Sequence, residues 1–234
     1  MRRLLLVLLL GTLLTSAGCS SSPSGPPVAG PSGSSAPVAP GTSGAPTPAP
    51  AEDPTVVFLG DSYTVGVGGT GYVARTAAEL GWVAYAQGES GTGYRNPSTT
   101  PGQTVFGDRI AGVVAADPDV VVVQGSTNDV GERPRLVQAA ATDLYAALHT
   151  ALPAARLVVL GPLSPPDVDA GAVLALRDAL AAAASAAGLP YIDPVAGGWL
   201  TPPDGLFADG LHPNDAGYAQ LSDDLAAALH RLGY

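Results

Sequence analysis

Two short segments, far apart in the chain, hold the residues that could do chemistry. Gly60-Asp61-Ser62-Tyr63 follows the apolar run Thr55 to Leu59, and Asp209-Gly210-Leu211-His212-Pro213-Asn214 precedes the last helix-like stretch. A serine hydroxyl becomes a nucleophile when an imidazole takes its proton, and the imidazole needs a carboxylate to fix its tautomer and orientation. Ser62, His212 and Asp209 supply those three groups. Of the other histidines, His149 falls inside a helical stretch and His230 in the last turn of another; neither has a carboxylate three residues upstream in a loop. Ser62 alone would be read as a helix cap, a role serine favours, but the downstream Asp-x-x-His points to nucleophilic catalysis. Asp209 also suits the turn before Gly210, which is compatible with holding the imidazole.

These residues need a scaffold that brings distant loops together. Val- or Leu-rich runs at Thr55 to Leu59, Val83 to Ala86, Val120 to Val123 and Leu157 to Leu160 read as strands, with Tyr191-Ile192 as a short fifth. Such continuous apolar runs are expected of parallel strands covered on both faces. Helices are expected over Tyr72 to Leu80, Asp108 to Ala116, Arg135 to Leu152, Ala170 to Ala187 and Asn214 to Leu232, with Pro118, Pro153 and Gly188 as stops. This alternation predicts an α/β fold: a three-layer α/β/α sandwich around a five-stranded parallel sheet, flavodoxin-like. In such sheets the site lies beyond the carboxyl ends of the strands. Ser62, Gly91, Asn128 and the Asp209–His212 segment all follow strand candidates and can converge there.

Four segments in order resemble the SGNH hydrolases, also known as GDSL-type esterases, and the likeness covers essentially all of residues 55–234. They are Gly60-Asp61-Ser62-Tyr63-Thr64-Val65-Gly66, Ser90-Gly91-Thr92-Gly93, Gly125-Ser126-Thr127-Asn128-Asp129 and Asp209-Gly210-Leu211-His212-Pro213. Tyr63 stands where the name-giving Leu often does. The resemblance implies Ser62 as nucleophile, with His212 as base and then acid, held by Asp209. It also implies three donors for the developing oxyanion: the Ser62 and Gly91 backbone N–H groups and the Asn128 side-chain amide. Gly88 and Gly93 are alternatives for the glycine. Asp61 and Asp129 are read as structural supports. No metal or cofactor is implied, and no His/Asp/Glu cluster with metal-ligand spacing accompanies these residues.

The N-terminal quarter has another character. Arg2 and Arg3, the apolar run Leu4 to Leu14 and small residues up to Cys19 form a signal-peptide pattern over residues 1–18. The run is too short to span a bilayer, which takes roughly 20 apolar residues. Cys19, the single cysteine, follows Ser16-Ala17-Gly18 in a segment that resembles the lipobox of bacterial lipoproteins, with Ser16 where Leu is usual. The resemblance implies lipidation of Cys19; ordinary signal cleavage and secretion is the alternative. Residues 19–53 are Pro/Gly/Ser-rich and are expected to be a disordered linker with a reach on the order of 100 Å. Residues 54–234 form the hydrolase domain. All ten basic residues are Arg, against twenty Asp and Glu. A chain this acidic, with no basic run, is not suited to nucleic acid or to anionic lipid by charge. The expected protein is thus a monomer, exported and held at the outer face of the membrane by its lipid, acting on a small-molecule or polysaccharide ester.

Rival motifs fail on position. Gly66-Val67-Gly68-Gly69-Thr70-Gly71 matches the Gly-x-Gly-x-x-Gly dinucleotide pattern, yet Gly60 to Val65 separate it from the strand. A P-loop needs Lys, and the chain has none. The Gly-x-Ser-x-Gly elbow is broken by Thr64. A short acyl group such as acetyl is the expected substrate, since no long apolar lid is in evidence. Tyr94, Arg95, Phe106, Trp199 and Phe207 are candidates either for a small acyl pocket or for loop anchors. The alternatives are an O-acyltransferase, thioesterase or lysophospholipase using the same three residues, and a non-catalytic cell-surface binding module.

Overall fold

The computed structural model describes residues 53–234. The expected signal, Cys19 and all but the last residue of the linker lie outside the described residues. The five expected strands form one all-parallel sheet in the order β2-β1-β3-β4-β5. The strands are β1 Thr55–Gly60, β2 Val83–Gly88, β3 Val120–Gln124, β4 Arg156–Leu160 and β5 Tyr191–Ile192. The helices are α1 Ser62–Val65, α2 Val73–Leu80, α3 Ile110–Ala115, α4 Pro134–Ala151, α5 Ala170–Ala186 and α6 Asp215–Arg231.

The period-2 alternation of side chains divides the central strands between two cores. Val57, Leu59, Val121, Val123, Leu157 and Val159 are buried with residues of α4 and α5 such as Leu144, Leu148, Leu176 and Leu180. Val56, Phe58, Val120, Val122, Val158 and Leu160 are buried with Leu221, Leu225 and Leu229 of α6. Both faces of β1, β3 and β4 are therefore dry, which is why their sequences are continuous apolar runs. The expectation of two covered faces fails for β2. It is an edge strand, and its Val83 and Tyr85 side chains are about half exposed.

Helix ends follow the sequence closely. Asn214 caps α6 by accepting from the N–H groups of Ala216 and Gly217, and Asp169 caps α5 by accepting from Ala172. Pro134 occupies the first turn of α4, where its missing N–H costs nothing. The helix expected from Asp108 instead opens with a 3-10 turn, Phe106–Arg109, before α3. The chain runs from β1 outward to β2 and then crosses to β3 on the other side of β1. The crevice at that reversal lies between the carboxyl ends of β1 and β3, the place where this topology leaves room for a ligand.

Candidate active site

Ser62 opens α1 directly after β1. The expected alternative, Ser62 as the helix cap, does not occur: Asp61 is the cap, its Oδ1 accepting from the Tyr63 N–H at 2.9 Å. Ser62 is therefore free to offer its hydroxyl, and its own N–H stands at a helix start where no carbonyl lies one turn back. Across the crevice, the loop before α6 is closed by hydrogen bonds from Ala208 N–H to the His212 carbonyl (2.8 Å) and from Asn214 N–H to the Leu206 carbonyl (2.9 Å). That closure sets His212 against Ser62.

The three groups form an unbroken line. His212 Nε2 lies 3.1 Å from Ser62 Oγ, and His212 Nδ1 lies 3.0 Å from Asp209 Oδ2. Asp209 Oδ1 accepts from the N–H groups of Leu211 (2.7 Å) and His212 (2.5 Å), so the carboxylate is fixed by its own turn. The His212 side-chain bond, followed by those two backbone bonds, pulls the Asp209 carboxyl down to about 2. With Asp209 charged, the imidazole proton belongs on Nδ1, leaving Nε2 to accept from Ser62. Ser62 is almost fully buried, while the Asp209 side chain is 58% exposed. The Tyr63 hydroxyl donates to the Leu211 carbonyl at 2.5 Å and ties the two loops together.

Asn128 sits in a 3-10 turn, Thr127–Asp129, just past β3. Its Nδ2 donates to the Thr92 carbonyl at 2.9 Å and to Asp61 Oδ2 at 3.3 Å. Both partners are acceptors, which fixes the orientation of the amide. Burial pushes the Asp61 carboxyl up to about 6, against hydrogen bonds from neighbours that lower it. Gly91 has φ +76°, a left-handed conformation that glycine adopts without strain. The alternatives differ from it: Gly93 N–H is used by the Asn96 carbonyl at 2.8 Å, and Gly88 ends β2 in register with Gly60. Gly91 N–H has no partner among the described residues.

Asp129 is the support the sequence suggested. Its carboxylate accepts from the backbone N–H groups of Tyr94 (2.7 Å), Arg95 (3.0 Å) and Asn96 (3.0 Å), holding the 91–97 loop beside Asn128. Three side chains were not singled out by sequence. Ser126 Oγ donates to the Thr92 carbonyl, and Asn96 Nδ2 donates to the Asn128 carbonyl, each at 2.8 Å. Arg109 is buried beside the serine turn. Ser126 carries a sequence signal, since it shares the segment with Asn128; the other two carry none. Among the described residues, no group of three or more His, Cys, Asp or Glu is placed to hold a metal ion.

The aromatic residues offered for an acyl pocket are mostly anchors. Tyr94 and Phe106 are buried in one core, while Trp199 and Phe207 pack against the other. Arg95 pairs with Glu132 on the surface. The glycine-rich stretch has a packing role instead of a dinucleotide one. At Gly68 a Cβ would lie 2.6 Å from the Pro213 carbonyl and 2.9 Å from the His212 Cβ, so only glycine lets this loop pass the His212 loop.

Residues 58–220 match the family model described as GDSL-like lipase/acylhydrolase. The chain belongs to that family. As a GDSL-type protein it is a hydrolase of ester bonds. It is 36% identical over 188 residues to the GDSL lipase Rv0518 of Mycobacterium tuberculosis, an alignment covering 74% of this chain and 80% of the relative. Its fold is also that of Est24, a carbohydrate acetylesterase from Sinorhizobium meliloti (TM-score 0.65, 17% identity, 77% of this chain and all of that one). A carbohydrate esterase family 2 enzyme from Corynascus thermopiles (Myceliophthora fergusii) matches with TM-score 0.62 and 23% identity, over 80% of this chain and 69% of that one.

Proposed function

We propose that this GDSL-type hydrolase removes short acyl groups, acetyl above all, from carbohydrate, through an acyl-Ser62 intermediate. The observation that carries the reading is the line from Asp209 through His212 to Ser62. Ser62 Oγ attacks the ester carbonyl carbon as its proton passes to His212 Nε2. The carbonyl oxygen becomes an oxyanion held by the Ser62 and Gly91 N–H groups and by Asn128 Nδ2. To donate there, Asn128 turns toward substrate the N–H that makes the longer bond, the one to Asp61. His212 then protonates the leaving alcohol. Water, deprotonated by His212, attacks the acyl carbon, and collapse of the second oxyanion releases the acid and restores Ser62.

Two observations favour a short acyl group on a bulky alcohol. Among the described residues, Tyr94, Phe106, Trp199 and Phe207 are used as anchors and so do not wall a pocket for a long chain. The fold is shared with proteins described as carbohydrate esterases. The second reading, a longer-chain lipid ester, draws on the 36% identical relative named a lipase. Rates on p-nitrophenyl esters of increasing acyl length, and acetate release from acetylated xylan, separate the two. Preference for acetyl with release from the polymer supports the first; a rate that climbs with chain length overturns it. Export, with Cys19 lipidated and residues 19–53 as tether, places the domain where such a polymer is met. Radiolabelled palmitate incorporation that disappears in Cys19→Ala tests the anchor.

A further inference from the structure

Arg109 is the last residue of the 3-10 turn before α3, far in sequence from Ser62, and only 7% exposed. Its Nη1 donates to the Gly60 carbonyl at 2.9 Å and to the Gln87 carbonyl at 2.6 Å, and its Nη2 donates to Thr92 Oγ1 at 3.2 Å. The guanidinium lies 4.8 Å from the Phe106 ring centroid. No carboxylate among the described residues comes within ion-pair distance of it. Burying a cation without an ion-pair partner is costly, and burial pulls the Arg109 guanidinium down from its ordinary value, against the more distant charges of Glu89 and Asp61, which raise it. A neutral side chain could fill the space without that cost. What the guanidinium adds is a planar fork that meets several oxygens in fixed geometry.

Those oxygens are not arbitrary. Gly60 ends β1 and leads directly into Asp61-Ser62. Gln87 lies at the end of β2, which leads into Gly91. Thr92 follows Gly91, and the Thr92 carbonyl is the acceptor that holds both Asn128 Nδ2 and Ser126 Oγ. We propose that Arg109 is a positioning residue for ester hydrolysis: one buried guanidinium fixes the serine turn against the Gly91–Thr92 turn, and through Thr92 it sets Asn128. All three oxyanion donors are thereby aligned before substrate arrives. Such preorganisation stabilises the transition state and has little bearing on how the ground-state ester binds. The proposal rests on the esterase reading above.

The test uses the full chain with Arg109→Met, Arg109→Lys, Thr92→Val and Ser62→Ala. Two rates are read: p-nitrophenyl acetate hydrolysis, and phosphonylation of Ser62 by a fluorophosphonate, in which an O–P bond forms, fluoride leaves and His212 takes the serine proton. In Arg109→Met we expect kcat and the phosphonylation rate to fall about 10²-fold with KM within about threefold, the magnitude of one lost oxyanion donor. Arg109→Lys, which keeps a donor to the two carbonyls, recovers about tenfold of that loss. A folded Arg109→Met with both rates within about threefold of wild type overturns the proposal. Should Arg109→Met fail to fold, Thr92→Val decides: kcat is expected to fall about tenfold at unchanged KM, and an unchanged kcat overturns it. If the wild type neither hydrolyses the ester beyond Ser62→Ala nor is labelled, it is the esterase reading that fails, and this proposal goes with it.

Discussion

Asp61 Oδ2 and Asn128 Nδ2 meet at 3.3 Å across the crevice between the ends of β1 and β3. The residue before Ser62, the proposed nucleophile, thus touches the side chain proposed as an oxyanion donor. Asp61 is wholly buried, and its other oxygen holds the first turn of α1 through Tyr63 N–H. This one carboxylate connects the serine turn with the turn after β3.

Removing the Asn128 amide leaves Ser62 intact and takes away a proposed oxyanion donor. Asn128→Ala is expected to lower kcat about 10²- to 10³-fold with KM within about threefold. Steady-state kinetics on p-nitrophenyl acetate check it. A loss confined to KM would place Asn128 in ground-state binding instead.

Asp61 should make stability depend on pH in a definite direction. Its folded-state value, about 6, lies above the ordinary 3.8 because of burial. Between those values the folded protein holds a proton that the unfolded chain releases, so stability falls as pH rises from about 4 to about 6. At ~1.4 kcal/mol per pH unit the full effect is about 3 kcal/mol. Asp61→Asn lacks this term. The variant's Tm relative to wild type should therefore climb across that window and level off above it. Lost hydrogen bonds displace the whole curve without changing its slope, and a difference independent of pH would contradict the assignment.

Asp129 satisfies three backbone N–H groups of the 91–97 loop from a largely buried position. Asp129→Ala leaves those donors without an acceptor, at an expected cost of about 2–4 kcal/mol in urea unfolding. Activity should fall too, because the loop carries Thr92, the anchor of Asn128. A variant with wild-type stability would show that water replaces the carboxylate at no cost.

Asp209 is more than half exposed on its side chain, so water can partly take its place. Asp209→Asn should lower kcat about 10²-fold, less than the ~10⁴ known where the third member of a serine triad is buried. Held down to about 2 by its bonds to His212 and to the Leu211 and His212 N–H groups, Asp209 stays ionised well into acid solution, so no acid-side step in activity above about pH 3 is expected from Asp209 itself. A rate profile in which Asp209→Asn equals wild type at every pH would remove Asp209 from the mechanism.

The sheet was legible because β1, β3 and β4 are dry on both faces, which forces Val- and Leu-rich runs that few other environments tolerate. The sequence marks β2 as a strand but not as an edge; edge position is decided by what fails to pack beside it, and sequence does not record that. The Ser62, His212 and Asp209 geometry was legible because each residue sits in a short segment whose types only make sense together. Arg109 and Asn96 were not. Their roles come from long-range hydrogen bonds to backbone carbonyls, and a carbonyl has no letter in the sequence. For Tyr94 and Phe106 the sequence leaves pocket and loop anchor open, and the structure decides for the anchor: the loop folds back on α3 and α4 and uses them as core, with the Tyr94 hydroxyl 2.8 Å from that of Tyr145.

The most direct test of the account is to mix the protein with p-nitrophenyl acetate, quench in acid and look for acetyl on the Ser62 peptide by mass spectrometry, beside Ser62→Ala and His212→Ala. Acetyl-Ser62 is expected in the wild type, with none in Ser62→Ala and very slow formation in His212→Ala. Steady turnover by Ser62→Ala at the wild-type rate, with the protein folded, would contradict it.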